Sequence, residues 1–153
     1  MGKFDVFVGI ILLLSFWVLS VAGGIAVWLS WVYVETEYDE EGLLTRDSRC
    51  LVRARALLTA SCIMFWVCAL LGHMLTPKDI SFGFWTDHPF LLLTLFLLTD
   101  ISLITSVVFA WQGHGSGKWI LCVATPMMTV ASLWISWVSF GLSLDWLSEL
   151  AKH

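Results

Sequence analysis

The sequence predicts an all-α integral membrane protein, an antiparallel bundle of four helices joined by short loops, with a possible interfacial helix at the C-terminus. Three observations lead there. Of 153 residues, 59% are hydrophobic and 13% charged, against roughly 45–50% and about 25% in a soluble domain. Mean hydropathy is +0.87. The apolar residues gather into four runs, each near the roughly 20 residues a helix needs to cross a hydrocarbon core about 30 Å thick. Too little chain lies between the runs for a second folding unit, so spans at about 6–34, 56–75, 89–111 and 119–144 form one transmembrane domain.

The first span, Val6 to Val34, carries no charge and exceeds the bilayer thickness, so tilt or a protruding end is expected. Its start followed by Ser20-Val21-Ala22 has the look of a cleavable secretory signal, but the apolar run continues well past that point and is read as a span. Val6 stands where N-myristoylation needs Ser or Thr. The second span, Ala56 to Leu75, is closed by Pro77, and the third opens on Pro89, whose missing N–H costs little at a helix start. Pro126 lies inside the fourth span, Trp119 to Leu144, near its start, and should kink it. An acidic loop, Glu35 to Arg55, joins the first two spans, and the Gly-rich turn Gln112 to Lys118 holds the last two antiparallel and adjacent. In the tail DWLSELAKH, Trp146, Leu147, Leu150 and Ala151 share one helical face, which suggests a short helix on the membrane surface.

Orientation follows from basic residues kept on the cytoplasmic side. The first and third loops hold Arg46, Arg49, Arg53, Arg55 and Lys118; the termini and second loop hold Lys3, Lys78 and Lys152. That balance puts the first loop inside, although Arg53 and Arg55 can instead snorkel and pair with acids of their own loop. The net charge of −4 leaves no cationic surface for a polyanion, so nucleic-acid binding is not expected. Cys62, Cys68 and Cys122 fall in spans and Cys50 in a loop, with no spacing that suits zinc.

Lipid tails are as apolar as leucine, so helices associate in a bilayer through small side chains and interhelical hydrogen bonds. The fourth span carries Cys122, Thr125, Thr129, Ser132, Ser136, Ser139 and Ser143, stepping alternately by three and four. The second span echoes it with Ala54, Ser61, Cys68 and Gly72, and the first with Ala22, Ala26 and Ser30 beside Gly23-Gly24. Such a stripe can line a polar groove, but the hydroxyls can bond their own helix carbonyls without any ligand, which favours a helix-packing seam. Its neighbour is left open between the first span, the second span and another protein. Trp28, Trp31, Trp111, Trp119 and Trp146 lie near span ends, where indoles anchor at headgroups. Trp17, Trp66, Trp134 and Trp137 lie deeper and suggest a face toward lipid or a protein partner.

Asp100 is the candidate for chemistry. A charged carboxylate at mid-bilayer costs about 2.5–3.5 kcal/mol on the insertion scale, so a partner is required. The possibilities are span-four hydroxyls, Cys62 or Cys68, or a basic group on another chain, and the role is packing, intersubunit contact or an ion path. His73, His88, His114 and His153 are too shallow to pair on a haem. The run Glu35, Glu37, Asp39, Glu40, Glu41 lacks the spaced ligands of a calcium loop and reads as solvated charge. No catalytic constellation, metal site or cofactor is expected.

WLSWVYV at the close of span one, the Gly42-Leu43 pair, Cys50 and the entry RARALLTASC into span two together resemble the claudin and peripheral-myelin-protein superfamily of four-span proteins. The whole length lies over that topology. The resemblance implies cytoplasmic termini, opposite to the charge balance, and a first-loop Gly-Leu-Trp with a disulfide. Here Leu44 replaces the Trp, Cys50 stands alone, and the loop is short for the family's extracellular sheet.

The resulting expectation is a non-catalytic accessory or assembly subunit that packs against other integral membrane proteins and lipid. It would be either a claudin-like channel-modulating or junctional subunit, or a supernumerary subunit of a large complex. The rival is a transporter or proton- or ion-conducting subunit centred on Asp100. The membrane is the plasma membrane or an internal one such as the mitochondrial inner membrane.

Overall fold

The computed structural model describes residues 3–74, 84–85 and 88–152. Among the described residues it has four long helices: α1 (Lys3–Tyr33), α2 (Arg46–Met74), α3 (Pro89–Gln112) and α4 (Lys118–Leu150). Each is long and apolar enough to cross a membrane, so the chain is a multi-pass membrane protein of the all-α class. Consecutive helices are neighbours, with α3 and α4 packed most extensively, α2 against α3 and α1 against α2 next, and α1 against α4 least among these neighbours. The bundle is therefore a ring of four with one looser seam. Leu75, Pro77, Lys78 and His153, named above, lie outside the described residues.

Two boundaries differ from the sequence expectation by more than three residues. Helix α2 starts at Arg46, not Ala56, which places Cys50, Arg53, Ala54 and Arg55 on a helix. Capping explains the early start, since Thr45 Oγ1 accepts a hydrogen bond from the Ser48 N–H at 3.3 Å and Asp47 sits in the first turn. Apolarity marks where a helix enters lipid, whereas a cap marks where it begins. At the other end, the tail forms no separate surface helix: α4 runs unbroken to Leu150. No Gly or Pro stands between Leu144 and Leu150 to stop it. Pro126 is likewise accommodated inside α4.

The first loop, shortened to residues 34–45, is a tight hairpin whose acidic side chains are exposed. Asp39 Oδ1 accepts from the N–H groups of Glu41 at 3.1 Å and Leu43 at 2.9 Å, and the Thr45 N–H reaches the Glu37 carbonyl at 3.1 Å. Its far side touches the α3–α4 turn, where the Glu35 N–H meets the Ser116 carbonyl at 3.3 Å. Arg55 and Arg53 do not pair with the loop acids. The Arg55 guanidinium lies 3.9 Å from the Trp31 ring centre and that of Arg53 5.6 Å from Phe109, where a cation meets the negative face of the ring. Among the described residues the one contact within salt-bridge distance is His114 Nδ1 with Asp47 Oδ1, at 3.8 Å and exposed.

The core divides by level. Toward the second loop it is aromatic, with Phe16 of α1 stacked on Phe96 of α3 at 5.5 Å and Phe65 of α2 at 5.8 Å from Phe96. Toward the first and third loops it is built from Leu51, Ala54, Leu58, Leu103, Ala110 and Leu121, all buried.

Gly117 makes the α3–α4 turn possible. Its φ is +75°, and a side chain there would overlap the Tyr33 carbonyl. Gly117→Ala is expected to lower stability by at least about 1–2 kcal/mol, the cost of a left-handed L-residue. Gly24→Ala, with open space around it, should be neutral or stabilising by up to about 1 kcal/mol. Equilibrium unfolding in mixed micelles, followed by far-UV circular dichroism, compares the two.

Candidate functional site

Asp100 lies eleven residues into the 24-residue helix α3, at mid-membrane depth, and is only 3% exposed. The stripe on α4 meets it. The Ser132 hydroxyl donates to Asp100 Oδ1 and the Ser136 hydroxyl to Oδ2, each at 2.5 Å. Positions 132 and 136 are one turn apart, so both hydroxyls project from one face of α4 and straddle the carboxyl. Each carboxyl oxygen thus has a donor from the neighbouring helix.

The rest of the stripe behaves differently. Thr125, Thr129, Ser139 and Ser143 are buried and turn their hydroxyls back to the carbonyls of Leu121, Thr125, Ile135 and Ser139, at 2.7–2.8 Å. Cys122 is half-buried and points its thiol at the Ala110 carbonyl, 3.5 Å away on α3. The neighbour of the stripe is therefore α3, which is not among the three neighbours open for the seam, although span-four hydroxyls are among the partners the sequence offers Asp100.

The α2 set faces other partners. Ala54 offers its carbonyl to the Ser106 hydroxyl of α3 at 2.7 Å, and nearby Ser102 reaches the Leu57 carbonyl at 3.3 Å. Ser61 bonds its own helix at Leu57. Cys68 and Gly72 pack against Trp85, whose indole N–H donates to the Cys68 carbonyl at 3.2 Å. A side chain at Gly72 would strike that indole. The α2 and α4 stripes are not brought together, since those helices lie across the ring from one another.

Trp85 is the residue that sequence reasoning missed. It is 5% exposed and makes edge-on contacts with Phe16 and Phe84. Position in a loop gave no sign of burial; the glycine at position 72 was the available cue.

The end-of-span tryptophans Trp28, Trp31, Trp111, Trp119 and Trp146 are exposed on the outer surface, as are Trp134 and Trp137. Trp146 packs edge-on against Phe90 at 5.4 Å. Trp17 and Trp66 meet edge-on at 5.8 Å across α1 and α2. His73, His88 and His114 are exposed. Among the described residues no group of three His, Cys, Asp or Glu is placed to hold a metal ion, and no buried polar side-chain atom lacks a hydrogen-bond partner.

No protein-family model matches this chain, and neither a curated protein nor a solved structure is significantly similar to it.

Chemically, the Asp100 cluster is a clasp between two helices. Interhelical hydrogen bonds in membranes contribute about 0.6 kcal/mol on average and up to about 1.7, so Asp100→Ala should destabilise the protein by about 1–3 kcal/mol. The double variant Ser132→Ala/Ser136→Ala should cost a similar amount. Combining all three should cost little more, because the same bonds are lost. A double-mutant cycle in mixed micelles measures the coupling, and strict additivity would show that the clasp carries no energy.

Proposed function

We propose that this chain is a non-catalytic accessory or assembly subunit, which acts by packing against other integral membrane proteins. The observation that carries the reading is the consumption of Asp100 within the chain: with both carboxyl oxygens held by Ser132 and Ser136, the most polar mid-membrane group serves the fold. What the bundle offers outward is apolar and aromatic. Val130, Leu133, Trp134, Trp137 and Leu144 lie on the outer side of α4 at helical spacing and are exposed, and large aromatic side chains are the common anchors of protein contacts. A claudin-like channel-modulating or junctional subunit and a supernumerary subunit of a large complex are two versions of this proposal, separated by the identity of the companion.

Purification from native membrane in mild detergent is expected to recover the protein in an assembly much larger than its 17.2 kDa mass plus a micelle. Trp134→Ala/Trp137→Ala should release the companion without loss of helicity. Recovery of the wild type as a companion-free monomer overturns the proposal. Asp100→Asn separates the rival: intact assembly with lost proton or ion flux would mark a conducting subunit, whereas unchanged flux fits the accessory role.

A further inference from the structure

The seam between α1 and α4, looser than the other three, opens into a cavity of about 700 Å³ that faces sideways out of the bundle. Its walls are apolar: Ala22, Ala26 and Leu29 on α1 stand opposite Ile120, Val123 and Met127 on α4. The alanines hold the α1 wall back. The floor is set at Gly23, where a side chain would meet Met128 Cε at 3.0 Å and Cys62 Sγ at 3.1 Å, so three helices converge there and the groove stops. The roof is the contact of Glu35 with Ser116 and the close approach of Gly117 to Tyr33.

Between floor and roof the groove follows α1 from Ala22 to Tyr33, which is about 16 Å at about 1.5 Å per residue. Half of a hydrocarbon core about 30 Å thick is about 15 Å. The groove therefore matches one leaflet and not a full crossing, which is the length a partner's transmembrane helix would need. An apolar hollow does not hold ordered water, and leaving it empty forfeits dispersion contacts along both walls.

One end is polar. Tyr33, Glu35 and Ser116 line it beside Trp119, at the headgroup level that indoles prefer. Glu35 leads into Glu37, Asp39, Glu40 and Glu41, all exposed. Lys118, next along α4, is directed to the Gly113 carbonyl at 2.9 Å, and Arg55 is held on Trp31. Among the described residues that line the groove, Glu35 is the one that carries charge, so this end disfavours an anionic headgroup and attracts an ammonium. A primary ammonium also donates hydrogen bonds to a carboxylate, which a quaternary one cannot.

We propose that this groove binds one acyl chain of a phosphatidylethanolamine from the leaflet on the side of the first and third loops, with the lipid's ammonium against Glu35. The full chain is reconstituted in vesicles of equal parts phosphatidylethanolamine, phosphatidylcholine and phosphatidylglycerol, re-extracted in mild detergent, and weighed by native mass spectrometry. A one-to-one phosphatidylethanolamine adduct is expected. Ala26→Trp, which fills the groove, should reduce it about tenfold or more, while Val18→Trp on the outer face of α1 should retain it. Ala22→Leu provides a milder filling variant should Ala26→Trp lose helicity. Glu35→Gln should keep a lipid bound but reduce the preference over phosphatidylglycerol by about threefold, the scale of one exposed charge pair. No adduct, an adduct undiminished in both filling variants, or equal retention of phosphatidylglycerol by the wild type overturns the proposal. So does a second copy of the chain lost on filling the groove in place of a lipid.

Discussion

Inside a bilayer, separating two helices exposes them to a solvent no less apolar than their own side chains, so contact must come from close fit and polar bonds. Helix α3 is where those bonds concentrate. On one side Asp100 receives Ser132 and Ser136 of α4; on the other, Ser102 and Ser106 donate to the Leu57 and Ala54 carbonyls of α2. The remaining contacts of the ring are mainly shape, small residues admitting large ones. This makes α3 the structural centre of the bundle and explains why it packs more extensively than α1 does.

The fold class was legible because the bilayer imposes a blunt rule: four apolar runs of sufficient length must be four spans, and turns as short as the one after Gln112 leave neighbours antiparallel. What escaped the sequence were features with a different cause. The start of α2 depends on the Thr45 cap and not on hydropathy. The end of α4 depends on the lack of a stop signal, which an apolar window ending at Leu144 does not register.

At the site, the period of the α4 stripe was plain and its positions are buried, Cys122 in part. Its neighbour was not plain, because small residues advertise closeness without naming a partner, and the first two spans carry similar stripes. Asp100 itself was the better clue. A carboxyl at mid-span requires donors, and the one dense supply of hydroxyls was on the helix a short turn away. The arginines illustrate the opposite error: charge matching suggested the loop acids, whereas the nearest surfaces on the folded bundle are the rings of Trp31 and Phe109.

Helix α4 has 33 residues, or about 50 Å of rigid rod, well beyond what the hydrocarbon core can cover. The excess emerges as a spur on the side of the second loop, braced where Trp146 meets Phe90. Because the spur and the Asp100 contact lie on one uninterrupted helix, the Trp146–Phe90 packing and the Ser132 and Ser136 bonds pin α4 to α3 at two heights, one near the second loop and one at mid-span.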